Sequence, residues 1–207
     1  MNDKTNLSLH YDPQGLSDRV ALFFTKSMRF FADTFFRKRY GHRAVILETV
    51  AGVPGMVAGM WTHLTSLRQM KQGYGPKIRV LLAEAENERM HLMTFIEIAK
   101  PNVFERYLVL FVQAIFWNFY FIIYVFFPRT AHRIVGYFEE EAVYSYTEYL
   151  KQIDEGGTPN IPAPKIAIDY WKLAPDATLR DVVIAVRKDE TEHRDANHEF
   201  ANEYDVK

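Results

Sequence analysis

Two Glu-x-x-His pairs, Glu88/His91 and Glu190/His193, are the first residues in this 207-residue sequence whose types and spacing could do chemistry. Three residues apart on a helix, a carboxylate and an imidazole leave the same face and can reach one metal ion. A single pair of this kind is weak evidence, so its surroundings matter. Leu81, Glu84, Glu88, His91 and Phe95 share one helical face, and Val183, Val186, Glu190, His193 and Asn197 share another. Both pairs therefore point toward a core, where a carboxylate needs a counter-charge and a metal ion is the simplest one. Two more carboxylates interrupt apolar stretches. Glu48 is the only formal charge between Arg43 and Arg68. Glu139 opens the run Glu139-Glu140-Glu141-Ala142, on a face traced by His132, Val135, Ala142 and Tyr146. Three adjacent glutamates cannot all face inward. Spacing favours Glu139, leaving Glu140 and Glu141 to support the ligands or meet solvent. The chain has no cysteine, which excludes disulfides, thiolate metal sites and thiol nucleophiles. Any metal is held by His, Asp and Glu, a set suited to iron, manganese or zinc.

The elements that must position these residues read as helices. Breaks fall at Gly73, Gly75 and Pro76, at Pro101, at Pro128, and across a long loop from Asp154 to Ala177. Between them apolar residues recur at helical spacing, and no alternating strand is convincing. Six helices are predicted, near 17–40, 43–71, 76–99, 102–127, 129–153 and 178–203. Thr178 with Asp181 suits a cap for the last, and Pro76 the first turn of the third. Residues 1–16 read as an N-terminal arm and 17–207 as one domain. One Glu from each of two helices plus a Glu-x-x-His from each of two others is the ligand set of a ferritin-like di-iron carboxylate bundle. Four carboxylates balance two Fe²⁺, and two imidazoles leave positions open for dioxygen. The predicted fold class is all-α: a ferritin-like di-iron four-helix bundle with two additional membrane-interface helices, monotopic.

The membrane reading rests on charge and aromatic distribution. The net charge of −1 conceals regional values of +4 for residues 1–45, +3 for 46–138 and −8 for 139–207. That balance argues against nucleic acid as a partner and for a basic, membrane-facing front half. The first helix interleaves Val20, Phe23, Phe24, Phe31 and Phe35 with Arg19, Lys26, Arg29, Arg37, Lys38 and Arg39, the pattern of a helix lying in a lipid interface. Tyr107–Pro128 has 22 residues without a charge, ten of them aromatic. That is long enough to span a bilayer. Gln113 and Asn118 interrupt it, and the stripe Gln113, Trp117, Tyr120, Tyr124 gives one face polar handles. The stripe reads as packing on protein, with the remaining faces in one lipid leaflet. Residues 1–16 lack the apolar segment of a signal peptide, so the chain is expected to stay where it is made.

Four local sequences then matter together: Leu47-Glu-Thr-Val-Ala51, Asn87-Glu-Arg-Met-His-Leu92, the Glu139–Ala142 block and Arg187-Lys-Asp-Glu-Thr-Glu-His193. In this order they resemble the four iron-binding motifs of the alternative oxidases, membrane-associated, cyanide-insensitive di-iron quinol oxidases. The resemblance runs from about Arg43 to Glu199. It implies a ubiquinol:oxygen oxidoreductase that reduces dioxygen to water at two Fe ions without proton pumping. It also implies Glu88 and Glu190 as bridging ligands, with Glu48, Glu139, His91 and His193 completing the coordination. Tyr146 matches a redox-active tyrosine. Arg43, Leu47, Ala51, Phe138, Ala142 and Ser145 match a quinol pocket, in which Phe138 and Ser145 replace the usual Leu and Thr. Asn87, His132, Asp189, Tyr170 and Trp171 match residues that orient the ligands. The resemblance further implies a homodimer, for which Ala51, Gly55, Ala58 and Gly59 permit close helix contact while Pro54 warns of a kink. The long N-terminal extension and regulatory cysteine of mitochondrial and plant members are not in the sequence. The expected setting is the cytoplasmic face of a bacterial inner membrane. Two rival readings remain at this point: another ferritin-like di-iron protein, such as an iron store or hydroxylase, and a non-enzymatic single-pass membrane protein.

Overall fold

The computed structural model describes residues 7–36 and 40–205. Arg37, Lys38 and Arg39, part of the basic face expected on the first helix, lie outside the described residues, as does the side chain of Phe35. The structure is all-α, as the periodicity predicts. Seven helices are present among the described residues: α1 (Leu16–Phe36), α2 (Tyr40–Gln69), α3 (Gly75–Ala99), α4 (Val103–Phe126), α5 (Pro128–Asp154), α6 (Lys165–Trp171) and α7 (Leu179–Asn202). The unpredicted one is α6, inside the segment read as a continuous loop. Its seven residues are too few to show a periodic face, and Pro164 before it is the one local start signal. Among the described residues one antiparallel bridge pairs Pro162 with Thr178. The expected cap of α7 is present, with the Thr178 N–H and hydroxyl both donating to Asp181 Oδ2 at 2.8 and 2.9 Å. At α4, Asn102 and Glu105 form a reciprocal capping box, each side chain accepting from the other's backbone N–H at 2.9 Å.

The helices form two compact units, one of residues 1–40 and 132–207, the other of 41–131. In the 41–131 unit, α2 and α3 approach closely at glycine. A Cβ on Gly55 would lie 2.5 Å from the Leu81 carbonyl oxygen and 3.0 Å from the Ala85 amide, and one on Gly59 would lie 2.9 Å from Leu82. The small-residue face of α2, anticipated as a contact between subunits, is thus spent at these two positions on α3. Pro54 lies inside α2, and the helix runs on through it. α4 packs Phe116, Tyr120 and Tyr124 inward, and the Tyr124 hydroxyl lies 3.3 Å from that of Thr62 on α2. Trp117, expected in the inward stripe, is instead 39% exposed and stacks on Phe121. Phe116 takes the inward place, since i+3 and i+4 serve equally from Gln113. Both α2 and α4 are long and apolar enough to cross a membrane, but the apolar window of α2 is 61% buried against 17% for α4. α2 is a core helix by that measure, and α4 presents most of its apolar side chains outward.

In the other unit, α5 and α7 carry the core through Ile134, Val135, Val182, Val183 and Val186. α1 meets α5 at a buried ion pair, Arg133 Nε to Asp18 Oδ1 at 3.1 Å, with both side chains fully enclosed. Phe24 packs against Phe138, while Leu16, Val20, Phe23, Phe30 and Phe31 form an exposed stripe. Lys26 and Arg29, read as lipid-facing cations, both pair with Glu141, leaving Arg19 as an exposed basic residue of α1. Tyr149 is buried against Tyr40 with ring centroids 5.4 Å apart. Burial pushes its phenol up to about 12.

Two outcomes follow for stability. Gly55→Ala forces a methyl group into the α3 backbone and should cost about 2 kcal/mol in denaturant unfolding of the detergent-solubilised protein. The neutral Tyr149 phenol stabilises the fold fully below pH 10. As pH rises from 10 toward 12 the unfolded chain ionises first, so on the order of 2 kcal/mol is lost across that window. Tyr149→Phe should flatten that alkaline decline, read from unfolding midpoints at a series of pH values.

Candidate metal centre

The 41–131 unit contributes three donors. α2 carries Glu48 on its inner face between the buried Ile46 and Thr49, and α3 carries Glu88 and His91 one turn apart. All three are buried, at 4%, 1% and 0% exposure. One oxygen from each carboxylate and a His91 ring nitrogen lie within 4.8 Å of one another. His91 Nδ1 is 3.4 Å from Glu48 Oε2 and 3.4 Å from Glu88 Oε2. Those separations are long for hydrogen bonds. Two donors each about 2.1 Å from a shared ion, at angles of roughly 90 to 110°, stand about 3.0–3.4 Å apart. The observed spacing is that of neighbouring ligands on one ion. Two carboxylates this close in a dry interior also repel, and a cation between them removes the cost. The donor set, hard oxygens with one imidazole, fits iron.

The other unit carries Glu139 on α5 and the pair Glu190/His193 on α7, at 4%, 1% and 8% exposure. His193 Nδ1 lies 3.6 Å from Glu190 Oε2. Supporting contacts are present around both α7 residues. The Trp171 indole N–H of α6 donates to Asp189 Oδ2 at 2.7 Å, next to Glu190. His132 Nδ1 lies 3.1 Å from Asn197 Oδ1, and the Asn197 amide donates to the His193 carbonyl at 3.0 Å. Tyr170 sets its ring edge-on against Trp171. Tyr146 is buried on the Glu139 face, at 5% exposure.

Of the residues matched to a quinol pocket, Arg43 is buried, while Leu47, Ala51, Phe138, Ala142 and Ser145 are half-buried. Arg43, Leu47 and Ala51 line one side of α2. A cavity of about 710 Å³ opens on another side of the same helix, lined by Glu48, Thr49 and Met56 with Leu92 of α3 and Gln113 and Trp117 of α4. Sequence reasoning missed this cavity, because it is made by three helices leaving a gap rather than by any motif. Gln113, read as a polar handle on the stripe that packs against protein, donates from its side chain to the Thr49 carbonyl at 3.2 Å, one residue beyond Glu48. Glu84, buried at 4% one turn before Glu88, belongs to the inward face, and its spacing alone suggests no role. His198 is missed entirely by sequence reasoning; its only signal is a position five residues beyond His193.

An all-α chain with buried clusters of carboxylate and imidazole fits the class of helical carboxylate metalloproteins. The family model for the alternative oxidases matches residues 3–202, and the chain belongs to that family. It is 60% identical over 194 residues to the mitochondrial ubiquinol oxidase of Batrachochytrium dendrobatidis, covering 94% of this chain and 61% of that protein. It is 58% identical over 193 residues to ubiquinol oxidase 1c, mitochondrial, of Arabidopsis thaliana, covering 93% and 58% respectively. Against the mitochondrial ubiquinol oxidase of Mangifera indica it is 57% identical over 201 residues, 97% of this chain and 63% of that one. The chain thus spans about three fifths of the length of these relatives.

Metal binding should register as stability. Fe²⁺ added anaerobically to the metal-free chain at 100 times its Kd should raise unfolding free energy by about 2.7 kcal/mol, seen as a higher Tm. Glu88→Gln with His91→Ala should abolish most of the rise.

Proposed function

We propose that this chain is a membrane-bound terminal quinol oxidase, coupling ubiquinol oxidation to four-electron reduction of dioxygen to water without proton pumping. The observation that carries the reading is the buried Glu48–Glu88–His91 cluster at ligand spacing in a chain of the alternative oxidase family. In this reading Glu139, Glu190 and His193 would join Glu48, Glu88 and His91 in holding the iron, and residues 17–207 work as one domain. Iron bound there would supply the one-electron steps that dioxygen reduction needs and that side chains alone do not provide.

The chain's own residues do the rest. Burial of the ligands at 8% exposure or less keeps bulk water from the reacting oxygen. The hydrogen bonds from Trp171 to Asp189 and from Asn197 to the His193 carbonyl hold the ligand-bearing turns of α7. The Tyr146 hydroxyl, on the buried Glu139 face, would pass one electron and one proton toward dioxygen and be restored by an electron and a proton from quinol. Arg43, five residues before Glu48, donates to a quinol oxygen, with Leu47, Ala51, Phe138, Ala142 and Ser145 around the ring. Two quinols lose four electrons and four protons, and dioxygen takes all of them to become two waters.

The substrate enters from lipid. The exposed stripe on α1 and the outward side chains of α4, among them Phe104, Phe111, Ile115 and Phe126, lie in one leaflet in this reading. A chain confined to one leaflet has no route for charge across the bilayer, which accounts for the absence of pumping. The exposed Arg19 suits the anionic surface of a cytoplasmic leaflet, that of a bacterial inner membrane in this proposal. The protein is a homodimer in the same proposal.

Ubiquinol-dependent oxygen uptake by the membrane-reconstituted protein should persist in millimolar cyanide. Glu190→Ala should lose both uptake and iron. Two irons bound with no quinol-dependent uptake would overturn the reading in favour of an iron store or hydroxylase.

A further inference from the structure

The Glu139–Glu140–Glu141 run leaves two carboxylates that the proposed reaction does not use, and each is held by a different element. Glu141 takes Lys26 and Arg29 of α1. Glu140 accepts from the Tyr11 backbone N–H at 2.9 Å, and lies 2.9 Å from His198 Nε2 of α7 and 2.5 Å from His10 Nδ1. The far side of His198 fixes its tautomer. Arg133 Nη1, which can only donate, lies 2.8 Å from His198 Nδ1, so the ring proton sits on Nε2 and is donated to Glu140. Arg133 is itself held by Asp18 and by Asn202 Oδ1 at 2.6 Å, and its guanidinium lies 3.7 Å over the Tyr11 ring. Tyr11 also stacks on His198, and its carbonyl accepts from the Tyr137 hydroxyl at 3.0 Å. Gly136, one turn before Glu140, lets the His198 ring come this near: a Cβ there would lie 2.5 Å from Nδ1.

We infer that Glu140 is a positioning residue for Glu139, and that His10 and Tyr11 of the arm are its outer clasp. Successive side chains leave a helix about 100° apart. Holding Glu140 on α7 and the arm, and Glu141 on α1, fixes the rotation of α5 about its axis from two directions. The third direction, inward, is then set for Glu139. The magnitude matters because a carboxylate oxygen stands several ångströms from the helix axis. A rotation of about 15° moves it by 1–2 Å, whereas a metal ligand tolerates about 0.2 Å.

This inference rests on Glu139 being a metal ligand, and the experiment separates the two. The full chain, freed of metal in detergent, is titrated with Co²⁺ while the visible absorption of the bound ion is followed; Tm and quinol kinetics are measured alongside. Glu140→Ala should weaken binding of one of the two ions about tenfold and alter its absorption. kcat should fall by a similar factor while KM for quinol is unchanged. Glu140→Gln, which keeps an acceptor oxygen, should restore most of the affinity. His10→Ala, at the exposed end of the clasp, should weaken the same ion about threefold and serves if Glu140→Ala fails to fold. Wild-type affinity and absorption in Glu140→Ala, whatever its Tm, would overturn the positioning role. Glu139→Gln retaining both ions would overturn the ligand assignment, and the inference with it.

Discussion

The structure depends on keeping carboxylates dry. Glu48 and Glu88 lie within 4.8 Å of each other at 4% and 1% exposure, where mutual repulsion and lost hydration both oppose folding. Everything nearby reads as a response to that constraint. The α2–α3 crossing is tightened by glycine until backbone meets side chain, His91 is placed equidistant from both carboxylates, and Gln113 of α4 bonds to the Thr49 carbonyl one residue beyond Glu48. The same arrangement that would be unstable without a cation is complementary to one. Metal affinity and fold stability are therefore one quantity at this site.

What the sequence makes legible is what periodicity can carry. The faces through Glu88/His91 and Glu190/His193 are buried along their whole length, because a helix with charges on an apolar stripe has one way to pack. Caps at Pro76 and Thr178 are equally local. What escapes is set by tertiary partners. Phe116 and Trp117 stand about 60° and 40° to either side of the Gln113 direction, so both can serve the inward face, and the choice falls to the neighbours on α2 and α3. The basic residues of α1 could face lipid or a carboxylate, and only the position of Glu141 decides for Lys26 and Arg29. The helix α6 is hidden by its brevity and by the prolines around it. The cavity beside Glu48 belongs to no residue in particular, so no motif announces it.

Function is legible at two levels. Any one Glu-x-x-His is ambiguous, but four motifs in order, matched over residues 3–202 by the family model, are not. The relatives extend well beyond the matched region, and that region contains every residue proposed as a metal ligand, a redox group or a quinol contact. The 207 residues themselves contain no cysteine.

The buried pair of Asp18 and Arg133 has a different kind of consequence. α1 carries phenylalanines around much of its circumference, and such a helix can slide along a partner or turn over with little change in buried apolar area. A charge pair with both members fully enclosed admits one alignment, because any shift of a turn strands an ion in the interior. Replacing the two by apolar side chains of matching volume could leave stability intact while removing the feature that tells α1 where along α5 to stop. Its contribution is to selecting one packing among several of similar energy, rather than to the depth of the one selected.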